Sequence, residues 1–403
     1  MKREARDIRE RMPRPVKRIP LEENPTGKRI AGALVALAVA GLALFFALRG
    51  LTQVDAGWTW IEGDSAEGPV TEVRLWAELG AESDSPLTER RYLTKLFSQA
   101  SRELYTLFTP YEIVSGVQNL WWINHHPNEE IQVDPRLYGA LRESAEAGRQ
   151  IFLGPVYEIW DGVFFSESDG EAQEADPLLN PETGAVLAEM MALLGREDQI
   201  SLDFLAENKV RLNLAPELAA LGAEMGTDRY LDFGWTQNAY IADLLAEALG
   251  QAGWTRGILS SPDGFIRCLD DRGPFTLEVL TSETGKISQA ALAEYEGPAA
   301  ALQLLPTPQG TRRRFYQYGD GTLRTTWIST EDGQPHQGAD SWTVLSPGGT
   351  CGGALRATLE LITAEKLGAS QMETLAQEGI SALVQQGDNM YLIGDGLRLM
   401  EGP

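Results

Sequence analysis

Between Tyr230 and Asp270 the chain reads YLDFGWTQNAYIADLLAEALGQAGWTRGILSSPDGFIRCLD, and its apolar positions change period along the way. Ile241, Leu244, Leu245, Ala248 and Leu249 fall at the i, i+3, i+4, i+7 spacing of one buried helical face. Gly253 closes that helix, and Gly257-Ile258-Leu259 begins a strand. An acidic residue, Asp232, precedes the helix, and a Gly turn follows the strand; such a pair can hold a ligand between them. Upstream, Leu87, Tyr92, Leu93, Leu96, Phe97, Leu104 and Leu107 predict a helix from Pro86 to about Phe108. Shorter helices are predicted over Pro135 to Gly148, 186–195 and Pro216 to Met225. Strand patterns run over Val73 to Leu79, Phe275 to Leu280 and Ala300 to Leu305, and Ile200 to Leu205 pairs with Lys209 to Leu214. Met390 to Leu399 reads as a hairpin around Gly394-Asp395-Gly396, and the acidic run 162–185 as a surface loop. Helical and strand periods interleave, which predicts an α+β fold.

One stretch does not fit a water-soluble fold. Ile30 to Leu48, IAGALVALAVAGLALFFAL, is 19 residues without a charge. As a helix it spans roughly 28 Å, close to the thickness of a bilayer's hydrocarbon core. A cleaved signal peptide is the rival reading; the long charged leader and the lack of a small-x-small site after Leu48 favour an uncleaved anchor. The chain therefore divides into a basic tail (1–29), a transmembrane helix (30–48), a linker (49–72) and a main domain (73–403). The Lys/Arg cluster ahead of the span puts the tail in the cytoplasm and the main domain outside a cell membrane crossed once.

Charge narrows the partners. The net charge is −24, to which the first 29 residues contribute +5 and the remainder −29. An acidic body argues against nucleic acid, whose binding is driven by Lys and Arg neutralising phosphates. Two cysteines, Cys268 and Cys351, stand too far apart in sequence to predict a bridge. Three histidines make a zinc site or a His-based triad a poor reading, and the adjacent His125 and His126 are expected at the surface. No internal repeat, P-loop, dinucleotide fingerprint, GxSxG or HExxH motif occurs.

The central stretch resembles the "LDLGGIAKGYAVD…LLKEAG…INGGGNI" block of the ApbE family, the FAD:protein FMN transferases. Asp232, Gly234, Tyr240, Asp243, Gly253 and Gly264 match it; Trp235, Asn238, Ala239 and Pro262 depart from it. Further blocks occur in the family's order over about residues 85–370. FTPYEIVSGVQNLWWINHHPNEEIQVDP matches "YxxxS…N" through Tyr111, Ser115 and Asn124. GRQIFLGPVYEIW matches "GAFDITVGPLVxLW" through Gly154, Pro155 and Trp160, with Gln150 at the family's Asp. The later runs keep Gly310, Arg314 and Phe315, then Ile328, Gly333 and Pro335. SWTVLSPGGTCGGALRATLELI matches "SVTVIAP…ADALSTALFVLG".

The resemblance implies a two-lobed α+β fold with mixed or antiparallel sheets and flanking helices. It implies FAD as the flavin donor, Mg²⁺ as the hard cation that neutralises its phosphates, and a Thr or Ser of an extracytoplasmic redox protein as acceptor. Tyr111, Asp232 and Asn238 are the cofactor-binding candidates it points to; it assigns no catalytic residue. The family's metal-binding Asp and Thr fall at Gly353 and Ala357, and its third metal position at Trp235. Neither Gly353 nor Ala357 offers a side-chain oxygen, and Thr358 lies about 100° away around a helix. No metal ligand is therefore expected, and a rearranged site would have to draw on Asp340, Asp332 or Asp263. Three readings follow: a membrane-anchored ApbE-like protein without flavin transfer that binds flavin or a partner, an active transferase, or a structural surface domain without a ligand.

Overall fold

The computed structural model describes residue 40 and residues 54–400 apart from 82–84, 271, 284–285, 296–297, 306–314, 337, 365–368, 378, 388 and 396. The expected tail and transmembrane helix, and the family-like run at Gly310 to Arg314, lie outside the described residues. Among the described residues no helix is long and apolar enough to cross a membrane.

The architecture is built on an eight-stranded antiparallel sheet. Its strands are Gly57–Ile61, Arg74–Leu79, Gly257–Ser260, Phe265–Cys268, Ala299–Leu304, Ser341–Pro347, Ser381–Gln386 and Asn389–Ile393, hydrogen-bonded in that order. Alternation explains how each strand sits. In Arg74–Leu79, Leu75, Ala77 and Leu79 are buried while Arg74, Trp76 and Glu78 face away. Ala299–Leu304, in the middle, is apolar on both faces because both are covered. On one face lie the helices Gln237–Gln251 and Cys351–Ile362, packed against Phe265–Cys268 and Ala299–Leu304, and Pro86–Phe108, packed against the first two strands. On the other, a three-stranded sheet of Phe275–Glu283, Lys286–Tyr295 and Arg398–Met400 closes a second apolar layer around Cys268, Val279, Ala293, Ala301, Leu345 and Leu383. A separate three-stranded sheet joins Ile131–Gln132, Lys209–Leu214 and Ile200–Leu205. Residues 55–403 form one compact unit.

The expected helices over 86–108, 135–147 and 216–225 are present, and Ser85 and Asp134 cap the first two by accepting the amides of Thr88 and Arg136. Three expectations need correction. The expected loop 162–185 holds Asp169–Ala175 and the start of Pro181–Leu194, which begins earlier than the expected 186–195. Their signals are caps rather than periodicity: Ser168 and Asn180 accept the amides of Glu171 and Glu182, and Pro181 stands at the first helical position. Inside the expected linker, Gly57–Ile61 forms the sheet's edge strand, paired with Arg74–Leu79. The C-terminal hairpin does not form around Gly394. Asn389–Ile393 pairs with Ser381–Gln386, and Arg398–Met400 crosses to Lys286–Tyr295, so the two expected partners belong to different sheets.

One carboxylate joins two of the core helices. Both oxygens of Asp243, on Gln237–Gln251, accept the first amides of Cys351–Ile362: Cys351 at 2.9 Å and Gly352 at 2.8 Å. Thr350 supplies the next, accepting the Gly353 amide at 3.0 Å. These are the amides that a helix N-terminus leaves without internal partners. Burial pushes the Asp243 pKa up to about 6, although its two amide donors and Arg267 pull the other way. A carboxylate raised in the folded state stabilises most when protonated, so this contribution is full below about pH 4 and lost as pH rises to about 6. The wild-type chain is therefore expected to lose stability relative to Asp243→Asn between those limits, by at most roughly 3 kcal/mol. Urea unfolding of both chains at stepped pH measures the difference; a flat difference curve contradicts it.

Candidate functional site

The segment Arg229 to Asp232 is fixed from two sides before the chain enters its central helix. The Asn124 side chain, on Leu120–His125, donates to the Leu231 carbonyl at 2.9 Å and accepts the Leu231 amide at 2.7 Å. The Asp232 amide donates to the Ile151 carbonyl at 2.9 Å. Gly154 lies so close to the Arg229 carbonyl that a Cβ there would overlap it. Asn124, matched to the family on sequence, is thus a backbone clamp here.

Beside this clamp the Arg229 side chain is buried, only 8% exposed. Its guanidinium meets Asp232 at 3.2 Å, Asp161 at 3.0 Å and Glu158 at 4.0 Å, and lies 5.0 Å from the centre of the Tyr111 ring. Burial opposes the charge on Arg229, but Asp232, Tyr111 and Asp161 outweigh it and hold the pKa above its ordinary value. Burial likewise raises the Asp232 pKa, against the pull of Arg229 and of the Gly234 amide, which donates to Asp232 at 2.8 Å. Beneath them the buried Gln150 donates to the Tyr157 hydroxyl at 2.7 Å and to the Ile328 carbonyl at 3.1 Å. The Tyr157 ring occupies the space beside Gly234, whose φ of 55° and missing Cβ permit that approach. Trp160 donates to the Gly333 carbonyl at 2.7 Å, tying the helix Gly154–Phe164 to the turn that follows Ile328.

Two of the three cofactor-binding candidates therefore come together, and they do so through an arginine. Asp232 is buried and Tyr111 is 67% exposed, with Arg229 in contact with both. Asn238 takes no part: its amide donates to Asp263 in the turn between Gly257–Ser260 and Phe265–Cys268. Arg229, Glu158 and Asp161 are the members that sequence reading passed over. Their traces were the i, i+3 spacings in Arg229–Asp232 and Glu158–Asp161. Cys268 and Cys351 are buried thiols in no disulfide; Cys268 donates to Asp270 O and Cys351 to Ile266 O. His125 and His126 are part-buried and stack on Trp121 and Trp122, with ring centres 3.6 and 4.2 Å apart.

The family model for the ApbE family matches residues 71–384. The chain belongs to the ApbE family. The fold agrees with solved structures at low identity. An ApbE protein from Thermotoga maritima is similar at 15% identity with a TM-score of 0.59, covering 84% of this chain and 97% of that one. The flavin transferase ApbE from Vibrio cholerae is similar at 17% identity with a TM-score of 0.56, covering 85% and 98%. No curated protein matches the chain by sequence.

The donor set of this ApbE-family chain does not fit a hard divalent cation. Gly353 and Ala357 have no side-chain oxygen, and the Thr358 hydroxyl is buried and donates to the Ala354 carbonyl at 2.7 Å. Trp235 lies stacked on Phe265, ring centres 6.2 Å apart, with its indole nitrogen buried and without an acceptor among the described residues. The acids of a rearranged site are engaged separately: Asp263 with Asn238, Asp332 with His336 at 2.9 Å, and Asp340 with the Gly387 amide at 2.6 Å. Among the described residues no three His, Cys, Asp or Glu are grouped to hold a metal. The cluster at Arg229 sets one guanidinium among three carboxylates, with an aromatic face turned to water. Arg229→Met is expected to destabilise the chain by about 3–5 kcal/mol, because Asp232 would be left buried without its cation. Urea unfolding reads the loss, and a change within 1 kcal/mol, roughly that of an exposed ion pair, would contradict it.

Proposed function

We propose that this protein is a membrane-anchored member of the ApbE family that has lost flavin transfer and works outside the membrane as a binding or interaction module. The observation that carries this reading is the replacement of the family's metal-binding Asp and Thr by Gly353 and Ala357, neither of which offers a side-chain oxygen. Moving an FMN phosphoryl group from FAD to a hydroxyl requires charge on the diphosphate to be neutralised, and a divalent cation held by oxygens ordinarily does so. Tyr111 and Asp232 remain, yet Arg229 takes up the Asp232 carboxylate and one face of the tyrosine ring. The anchor rests on the uncharged run 30–48 behind ten Lys/Arg in the first 29 residues.

The alternative is an active FAD:protein FMN transferase with Mg²⁺, favoured by the retention of Tyr111 and Asp232; the acceptor would be a Thr or Ser of an extracytoplasmic redox protein. The test mixes the full chain in detergent with FAD, MgCl₂ and a redox protein that an active family member flavinylates, with that active member as control. The acceptor band is expected to stay dark under ultraviolet light with this chain and to fluoresce with the control. A fluorescent acceptor band with this chain would establish the alternative.

A further inference from the structure

The sheet's edge carries a feature that neither the family nor the Arg229 cluster uses. Trp58, Trp60 and Trp76 stand on the outward face of Gly57–Ile61 and Arg74–Leu79, exposed by 38%, 51% and 37%. Trp60 lies directly opposite Trp76, with ring centres 5.9 Å apart and stacked, and Trp58 reaches Trp76 diagonally at 4.8 Å. The period-2 pattern forces this arrangement, since the same strands turn Ile61, Leu75, Ala77 and Leu79 into the core. Stacking removes part of each indole from water, but three adjacent large aromatics still make one apolar patch on an otherwise acidic body.

The charges at the rim are paired. Arg74 pairs with Glu62 at 3.4 Å and Arg272 with Glu78 at 2.6 Å, and Arg272 also pairs with Asp270. Indoles within a ring of paired charges match the zone between lipid headgroups and acyl chains, where an apolar ring with a polar N–H is preferred. Covalent connection points to the same occupant. The uncharged run ends at Leu48, ten residues before Trp58. Ten residues extend at most about 35 Å, so an anchored chain holds this patch near the bilayer at high effective concentration.

We propose that Trp58, Trp60 and Trp76 dip into the headgroup region of the bilayer that anchors the chain, fixing which side of the main domain faces the membrane. This rests on the anchored reading of residues 30–48. The edge strand that ends the sheet would then be shielded by lipid against pairing with another chain.

All ten tryptophans lie within residues 55–403, so bilayer contact by this part of the chain is readable from their fluorescence. The full chain is reconstituted in phosphatidylcholine vesicles with or without bromines near the headgroup end of the acyl chains, which quench nearby indoles. The wild type is expected to lose up to about a third of its emission in brominated vesicles, three of ten tryptophans being in reach. Trp58→Ser/Trp60→Ser/Trp76→Ser is expected to lose none; Trp60→Ser alone, at the most exposed of the three, is expected to lose less than wild type and serves should the triple variant not fold. Equal quenching of wild type and variants overturns the proposal, because another surface then meets lipid. Absent quenching in wild type that resists carbonate extraction also overturns it, whether the ladder faces water or a second copy of the chain. Release of the wild type by carbonate would instead sink the anchored reading, and this inference with it.

Discussion

The site depends on a single buried cation. Arg229 just precedes the backbone that Asn124 and Ile151 clamp at Leu231 and Asp232, and its side chain is buried. A guanidinium in that position is tolerable only with carboxylates around it, and Asp232, Asp161 and Glu158 supply them. Each acid is thereby given an occupation. Asp232, the one buried acid of the central block's first turn, neutralises an arginine of the same chain, and Tyr111 covers the guanidinium with its ring.

The same substitution of internal partners for external ones recurs at the helix Cys351–Ile362. A helix N-terminus offers partial positive charge and open amides, a natural place for a phosphate or a coordinated anion. Here Asp243 and Thr350 take three of those amides, and the side chains that would extend from the first turns toward a cation are Gly353 and Ala357. Trp235, stacked on Phe265, fills a position where the family has a glycine. Retaining the scaffold asks only that turns, clamps and core residues persist; Gly154, Gly234, Asn124 and Trp160 all have packing or hydrogen-bonding reasons that operate without any flavin.

Much of the scaffold could be read from residues because its causes are local. Leu75, Ala77 and Leu79 alternate with Arg74, Trp76 and Glu78, and Pro86–Phe108 keeps one apolar stripe between a Ser cap and its end. What escaped was non-local or masked by composition. The acidic run 162–185 resembles a loop in bulk, while its helices are set by two caps and a proline. The turn at Gly394 carries hairpin chemistry, yet the strands beside it join different sheets, because Arg398–Met400 pairs about a hundred residues back while Asn389–Ile393 pairs with its neighbour. At the site, the resemblance pointed to Tyr111 and Asp232, and the structure brings both against Arg229. Arg229 itself escaped, because its partners Glu158 and Asp161 sit on a helix some seventy residues earlier. Asn238 lies apart from the other two for a similar reason: its partner Asp263 sits across a strand turn.

The central claim is that this chain keeps the ApbE scaffold without a seat for the cation. Manganese stands in for magnesium at oxygen sites and reports its coordination by electron paramagnetic resonance. Titrating Mn²⁺ into the full chain at saturating FAD should give the spectrum and free-ion amplitude of the same titration with FAD alone. A protein-dependent loss of the free-ion signal, reversed by excess Mg²⁺, would show that a cation site exists and contradict the account.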